Sequence, residues 1–272
     1  MEDAQRFYWS LPPLTRVWGT AAVGLTGAAT LELIDPAMLS FDWNQIYNHT
    51  ELWRFVTCFC YAGGHMRQFP VMILIYLIVT MSARYERQPL NVGAGGSSAD
   101  AAFALLFCAV TILATVPLLD RYGPPMLLWW YGHRVHFHME AVHTRNLIYA
   151  VLYLWSQRHP NAQADINFIP MKAKFLPFAH VALGYSMNHR IHEMVHGLLV
   201  GHVFYYLTVV LPMITQGCLG LTTPQFLVDW CSAPMDRVEQ VAGVYERQAD
   251  AMAPAEARAN RILQQQQPYR QQ

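Results

Sequence analysis

The residues best able to do chemistry lie in one short stretch, His192-Glu193-Met194-Val195-His196. Two imidazoles four residues apart share a helix face and can grip one zinc ion. The glutamate between them can take a proton from a metal-bound water. That reading is an intramembrane zinc metalloprotease. His202 stands at the spacing of a third ligand, but such a ligand needs a helix break at the position that Leu199 occupies. On an unbroken helix, six steps of about 100° turn His202 away from the His192/His196 face. No distant aspartate motif completes the set. The plainer reading is of polar residues at the lip of a membrane helix, hydrogen-bonded or wetted, with His192 and His196 as the metal candidates.

A second histidine group, His133, His136, His138 and His143, has only Glu140 as a carboxylate companion. Short His-rich tracts bind metals, but a solvated interfacial loop accounts for this one. Gly197 and Gly201 form Gly-x-x-x-Gly, a spacing that lets helix backbones approach closely. They are expected to hold the last membrane helix against a neighbour, the fourth span, and leucine at either is expected to disrupt the fold. Trp53-Arg54 sets a charge beside an aromatic ring within an irregular apolar segment. An arginine at membrane depth needs partners or headgroups. The five cysteines, 58, 60, 108, 218 and 231, are odd in number and match no redox or zinc spacing, so they read as small apolar core residues.

The elements that must position these residues are membrane helices. Apolar residues make up 54% of the 272 and charged residues 13%, against about 25% charged in a soluble domain. Eighteen basic and eighteen acidic side chains cancel, which leaves no global field to attract nucleic acid. The N-terminus, with Glu2, Asp3 and Pro12-Pro13, lacks the pattern of a signal peptide. Six apolar stretches are expected to span: 17–34, 69–81, 101–119, 147–155, 175–187 and 194–214. The fourth and fifth are short and require a locally thinned bilayer. Residues 35–59 read as a segment in the interface plane, with a glycosylation sequon at Asn48. Gly123-Pro124-Pro125 opens a stretch with no clear periodicity. The expected layout is a cytosolic N-terminal segment (1–15), a membrane domain (16–230) and a disordered cytosolic tail (231–272). Lys/Arg counts in alternate loops, seven against six, decide no orientation.

Several stretches, in order, resemble the derlin family. Ser10-Leu11-Pro12-Pro13-Leu14-Thr15-Arg16 is similar to its opening. Phe41-Asp42-Trp43-Asn44 and Leu52-Trp53-Arg54-Phe55-Val56-Thr57 resemble its first loop. Tyr153-Leu154-Trp155-Ser156-Gln157-Arg158-His159-Pro160, Asn167-Phe168, Phe175-Leu176-Pro177, Gly197-Leu198-Leu199-Val200-Gly201-His202 and Thr222-Thr223-Pro224 continue the series. The resemblance covers about residues 6–230. It implies an all-α, six-span, rhomboid-like bundle in the endoplasmic reticulum membrane, both termini cytosolic, with no cofactor. The implied function is non-enzymatic: aiding retrotranslocation of misfolded clients in endoplasmic-reticulum-associated degradation. It would do so through a thinned bilayer and a lateral opening lined with polar residues, with the Trp53-Arg54 loop engaging bilayer and client. The implied partners are misfolded proteins, a membrane ubiquitin ligase complex, a cytosolic AAA ATPase and further copies of the chain. The tail lacks the Phe-plus-Gly motif by which derlins dock that ATPase, so adaptors are expected to recruit it. Active rhomboids carry Gly-x-Ser-Gly, which is absent here; Ser156 stands at the wrong end of span four, and Met194 occupies the position of the rhomboid base histidine. The resemblance therefore implies a pseudoprotease, with Gly197, Gly201 and His202 as its last-span signature.

Overall fold

The computed structural model describes residues 2–90, 97–131, 141–166, 169–187, 191–215 and 220–231. Two helices open the chain, α1 (Glu2–Ser10) and α2 (Pro13–Thr30). Three short ones follow: α3 (Pro36–Leu39), α4 (Trp43–His49) and α5 (Arg54–Cys60). Next come α6 (Phe69–Arg87), α7 (Ser97–Tyr131) and α8 (Thr144–Arg158). A small hairpin, β1 (Gln163–Ile166) antiparallel to β2 (Ile169–Lys172), leads into α9 (Leu176–Ser186). The last long helix is α10 (Ile191–Tyr205), continued through a π-turn (Tyr206–Val210) into α11 (Leu211–Ile214). A final α12 (Gln225–Cys231) packs on α7. The all-α class stands, and the hairpin, α1 and α12 are additions that the apolar patterning did not anticipate.

Phe69–Arg87, Ser98–Tyr122 and Ile191–Ile214 are each long and apolar enough to cross a membrane. Their exposed side chains, among them Tyr76, Leu106, Val110, Leu118 and Leu199, are what a face toward hydrocarbon requires. The more polar α8 survives because it is central. It packs against α5, α6, α7, α9 and α10, and Asn146, Leu147, Ile148, Ala150, Leu152 and Leu154 are all buried. The helix meets protein rather than lipid, so its sequence need not be uniformly apolar. The eleven residues of α9 reach only about 17 Å at 1.5 Å per residue, against about 30 Å of hydrocarbon.

Two helix boundaries differ from expectation. α7 runs through Pro117 and past Gly123-Pro124-Pro125 to Tyr131, where those residues were expected to end it. In a bilayer, unpaired backbone groups find no water, so prolines are tolerated within a helix that would break in solution. In the last helix, Pro212 lacks an N–H and its ring crowds the carbonyl four residues back. The backbone adopts the wider π-turn just ahead of it.

The first loop is folded, with α3 and α4 capped locally. The carboxylate of Asp35 accepts from Ala37 N, and that of Asp42 accepts from Asn44 N, 2.9 and 2.8 Å away. The loop is fastened to α2 and α8. Trp18 Nε1 donates to the Phe59 carbonyl (2.9 Å), and Thr144 Oγ1 to the carbonyl of Tyr61 (2.5 Å). Cys58 and Cys60 are buried within it, and burial pushes their thiols up to about 12 and about 11. They are protonated, inert packing groups, as expected for those two; Cys218 lies outside the described residues.

A buried carboxylate ties the opposite end of the bundle. Glu86, at the end of α6, accepts from Leu14 N (2.9 Å), Thr15 N (2.7 Å), Thr15 Oγ1 (2.7 Å) and Ser98 Oγ (2.9 Å). It satisfies N–H groups that open α2, which Pro12 and Pro13 cannot cap, and holds the first turn of α7.

Candidate functional site: a closed seam beside an open cleft

The chemistry-bearing residues of α10 point into its contact with α8. Gly197 lies directly on the backbone of α8: a Cβ there would collide with the Asn146 carbonyl oxygen. One turn on, a Cβ at Gly201 would meet the Ala150 carbonyl oxygen at 2.9 Å and Tyr153 Cβ at 3.3 Å. The pairs 146/150 and 197/201 share the same four-residue step, so both glycines serve one face. His202 stands one residue further, exposed, where Tyr153 Oη meets its Nδ1 at 2.7 Å.

His196 is buried in the same seam, and both of its ring nitrogens are used. Asn146 Nδ2 donates to Nδ1 (2.8 Å), so the proton sits on Nε2 and is donated to Thr115 Oγ1 (2.8 Å). The Thr115 hydroxyl passes its own proton to the Thr111 carbonyl (2.6 Å). Glu193, 1% exposed, pairs with Arg145 on the first turn of α8 at 2.8 Å. A zinc site would need His192, His196 and a free Glu193 around one ion. Instead, the second histidine joins α7, α8 and α10 by hydrogen bonds and the glutamate neutralises an arginine. The motif does not fit a metal here. Among the described residues, no group of three His, Cys, Asp or Glu side chains is arranged to hold one. His133, His136, His138 and Glu140 lie outside the described residues. His143 is buried between the rings of Phe41 and Phe59, with centroids 5.7 and 6.0 Å away.

Met194 is another inward position of α10, with Val200 and Phe204. It is 1% exposed, and its thioether would collide with any side chain added at Gly184 of α9. Ser156 is buried near the far end of α8, donating to the Tyr153 carbonyl (2.7 Å). It stands ten residues along α8 from the Asn146 that holds His196, so the two are about 15 Å apart along the axis.

Beside this seam the bundle leaves a narrow gap of about 30 Å³. A cleft lies between α6 (Ile73, Leu74, Leu77) and α9 (Leu183, Gly184), with Arg145, Tyr149 and Met194 at its floor. Its walls are mainly apolar, and Arg145, Tyr149 and His180 of α9 are the polar residues that line it. Tyr149 Oη donates to the His180 carbonyl at 3.3 Å.

The two residues expected to act together in the first loop are separated by the fold. Trp53 is 52% exposed, in company with exposed Leu52, Val56, Trp43 and Tyr47. Arg54 is 5% exposed and faces inward. Its Nη1 donates to the Ala37 and Ser40 carbonyls (2.5 and 2.7 Å), and its Nε and Nη2 both reach Glu51 Oε2 at 2.6 Å. The guanidinium thus staples α3 to α5. Sequence reasoning missed the partners within the seam, Asn146 and Thr115 on His196 and Arg145 on Glu193, and, at the opposite end of the bundle, Glu86. For Thr115 the available signal was a polar side chain inside an apolar stretch, where it must find a partner.

The fold and the seam define a polytopic helical membrane protein whose polar residues are consumed in helix-to-helix bonding, next to an opening between two of its helices. The Der1-like family matches residues 11–225, and the chain belongs to that family. It is 28% identical to Derlin-1 of Arabidopsis thaliana over 250 residues, covering 90% of this chain and 85% of the relative. It is 27% identical to Derlin-1 of Oryza sativa subsp. japonica over 84% of each chain. With Derlin-1 of Homo sapiens it shares 29% identity over 85% of this chain and 83% of the relative. The function that follows is that of a derlin in endoplasmic-reticulum-associated degradation, acting on client proteins, and nothing favours the zinc protease alternative. Family membership also makes it a non-catalytic rhomboid-like protein.

Proposed function

We propose that the chain crosses the endoplasmic reticulum membrane six times, through α2, α6, α7, α8, α9 and the α10–α11 unit, with both termini cytosolic. It receives misfolded clients at the α6–α9 cleft and lowers the barrier to their passage into the cytosol. Moving peptide backbone through about 30 Å of hydrocarbon is prohibitive, because each unsatisfied polar group costs several kcal/mol. A short α9 and a lateral cleft with Arg145 and Tyr149 at its floor shorten that path and supply polar contacts along it. The first loop inserts Trp53, Leu52 and Val56 into the lumenal leaflet, and Arg54 positions them from within the protein. The chain is a pseudoprotease: its polar residues brace helices and turn over no peptide bond. Its partners are a membrane ubiquitin ligase complex, an AAA ATPase recruited through adaptors, and other copies of itself. The observation that carries this reading is the cleft itself, an opening between two bundle helices with an arginine at its base.

The test is turnover of a misfolded membrane client in cells where this chain replaces the resident derlin. Filling the cleft with Ile73→Trp and Leu183→Trp should stabilise the client severalfold while the protein keeps wild-type abundance. Unchanged client turnover with that variant would contradict the reading.

A further inference from the structure

An apolar hollow larger than the cleft lies away from it, between α1, α2 and α6. It is a cavity of about 390 Å³, room for roughly a dozen water-sized groups at ~30 Å³ each. Phe7, Leu11, Gly19, Val23, Gly24 and Val79 line it. Glycines create the space: a Cβ at Gly24 would touch nothing within 4 Å. Of the polar residues at its border, Tyr8 and Thr20 bond each other and Thr15 bonds Glu86, leaving few partners for a buried water, which needs two to four. The hollow runs along α2, whose Val17 and Val23 are exposed where a spanning helix meets lipid.

One charge stands at its rim. The Arg16 guanidinium lies over the Trp9 ring at 4.7 Å and beside the Tyr8 ring at 5.6 Å. Its Nη2 donates to the carbonyls of Trp9 (3.0 Å) and Leu11 (2.8 Å). Those partners fix its place but carry no formal charge, and Nη1 has no partner among the described residues. Arg87 stands at the same end, donating to the Ser10 carbonyl at 3.2 Å. An apolar hollow beside a fixed cation with donors to spare has the two-part chemistry of a phospholipid.

We infer that this hollow is a binding site for one phospholipid, with an acyl chain lying along Gly19, Val23 and Gly24 and the phosphate on Arg16. The amphipathic α1 closes over the chain as a lid, and Arg16 fastens the lid through the Trp9 and Leu11 carbonyls. Arg87 adds a second positive charge at this end, and the buried Glu86 carboxylate on Thr15 offsets one of the two, so the guanidinium-to-phosphate contact rather than net charge selects the ligand.

The full-length protein is placed in phosphatidylcholine vesicles doped with a phosphatidylserine carrying a mid-chain diazirine, and adducts are mapped after illumination. The wild type should concentrate adducts on residues 7–24 and Val79, displaced by unlabelled phosphatidylserine. Gly24→Phe, which fills the hollow, should lose those adducts while adducts on α7 persist. Arg16→Gln should weaken competition by phosphatidylserine about tenfold, equivalent to ~1.4 kcal/mol. Wild-type adducts spread evenly over every lipid-facing helix would overturn the proposal without reference to any variant. So would adducts on α1 and α2 that survive Gly24→Phe, which would indicate ordinary annular lipid. Adducts of a second protein copy at this face would assign it to self-association instead.

Discussion

The α8–α10 seam and the α6–α9 cleft share a floor but are built by opposite means. In the seam, glycines bring two backbones into contact, and polar side chains bond across it: His196 with Asn146 and Thr115, Glu193 with Arg145. In the cleft, Ile73, Leu77 and Leu183 face one another without such bonds, and the helices stand apart. A hydrogen-bonded, glycine-tight contact has no slack, whereas an apolar one between helices in lipid can exchange protein contact for a lipid tail or a client side chain at small cost. The difference explains how a sequence with a literal His-Glu-x-x-His can lack an enzyme's site. These residues bond helix to helix instead of gathering round an ion.

That comparison is broken most severely at the seam. Gly197→Leu drives a side chain into the Asn146 carbonyl and should abolish recovery of folded, monodisperse protein in detergent, while Leu77→Ala in the cleft wall should be recovered normally. Arg145→Ala removes the 2.8 Å ion pair from the buried Glu193 carboxylate, a loss of about 3–5 kcal/mol. The double variant Arg145→Met/Glu193→Met should recover most of it, as thermal unfolding in detergent will report. Arg54→Ala removes hydrogen bonds from the Ala37 and Ser40 carbonyls and should cost about 1–3 kcal/mol, with faster proteolysis of the first loop. Trp53→Ala should move the unfolding midpoint by no more than about 0.5 kcal/mol equivalent, since an exposed residue away from packed features contributes little to stability. It should nevertheless reduce client turnover, separating the role of the loop's surface from that of its internal staple.

The sequence carried much of this framework. Apolar stretches located the long helices because hydrocarbon demands continuous apolar surface, and Gly197-x-x-x-Gly201 marked close packing because only glycine permits it. What escaped were features decided by neighbours. α8 looked too short because its polar first turn (Thr144, Arg145, Asn146) is buried against α5 and α10 rather than exposed to lipid. Arg54 looked like a headgroup anchor because its carbonyl partners lie 14 and 17 residues away in sequence. The zinc motif was misleading because His196 and Glu193 find their partners on α7 and α8, which no local spacing encodes. Glu86 passed unnoticed for the same reason: the backbone it caps is more than 70 residues away.

The central claim, that the open side of the bundle and not the sealed side receives clients, is tested most directly by site-specific photocrosslinking. A photoreactive residue is placed in turn at Ile73 and Leu183 in the cleft walls, and at Leu106 and Val110 on the exposed face of α7, during degradation of a misfolded membrane client. The account predicts client adducts at Ile73 and Leu183 and essentially none on α7. Equal adducts at all four positions, or adducts on α7 alone, would contradict it.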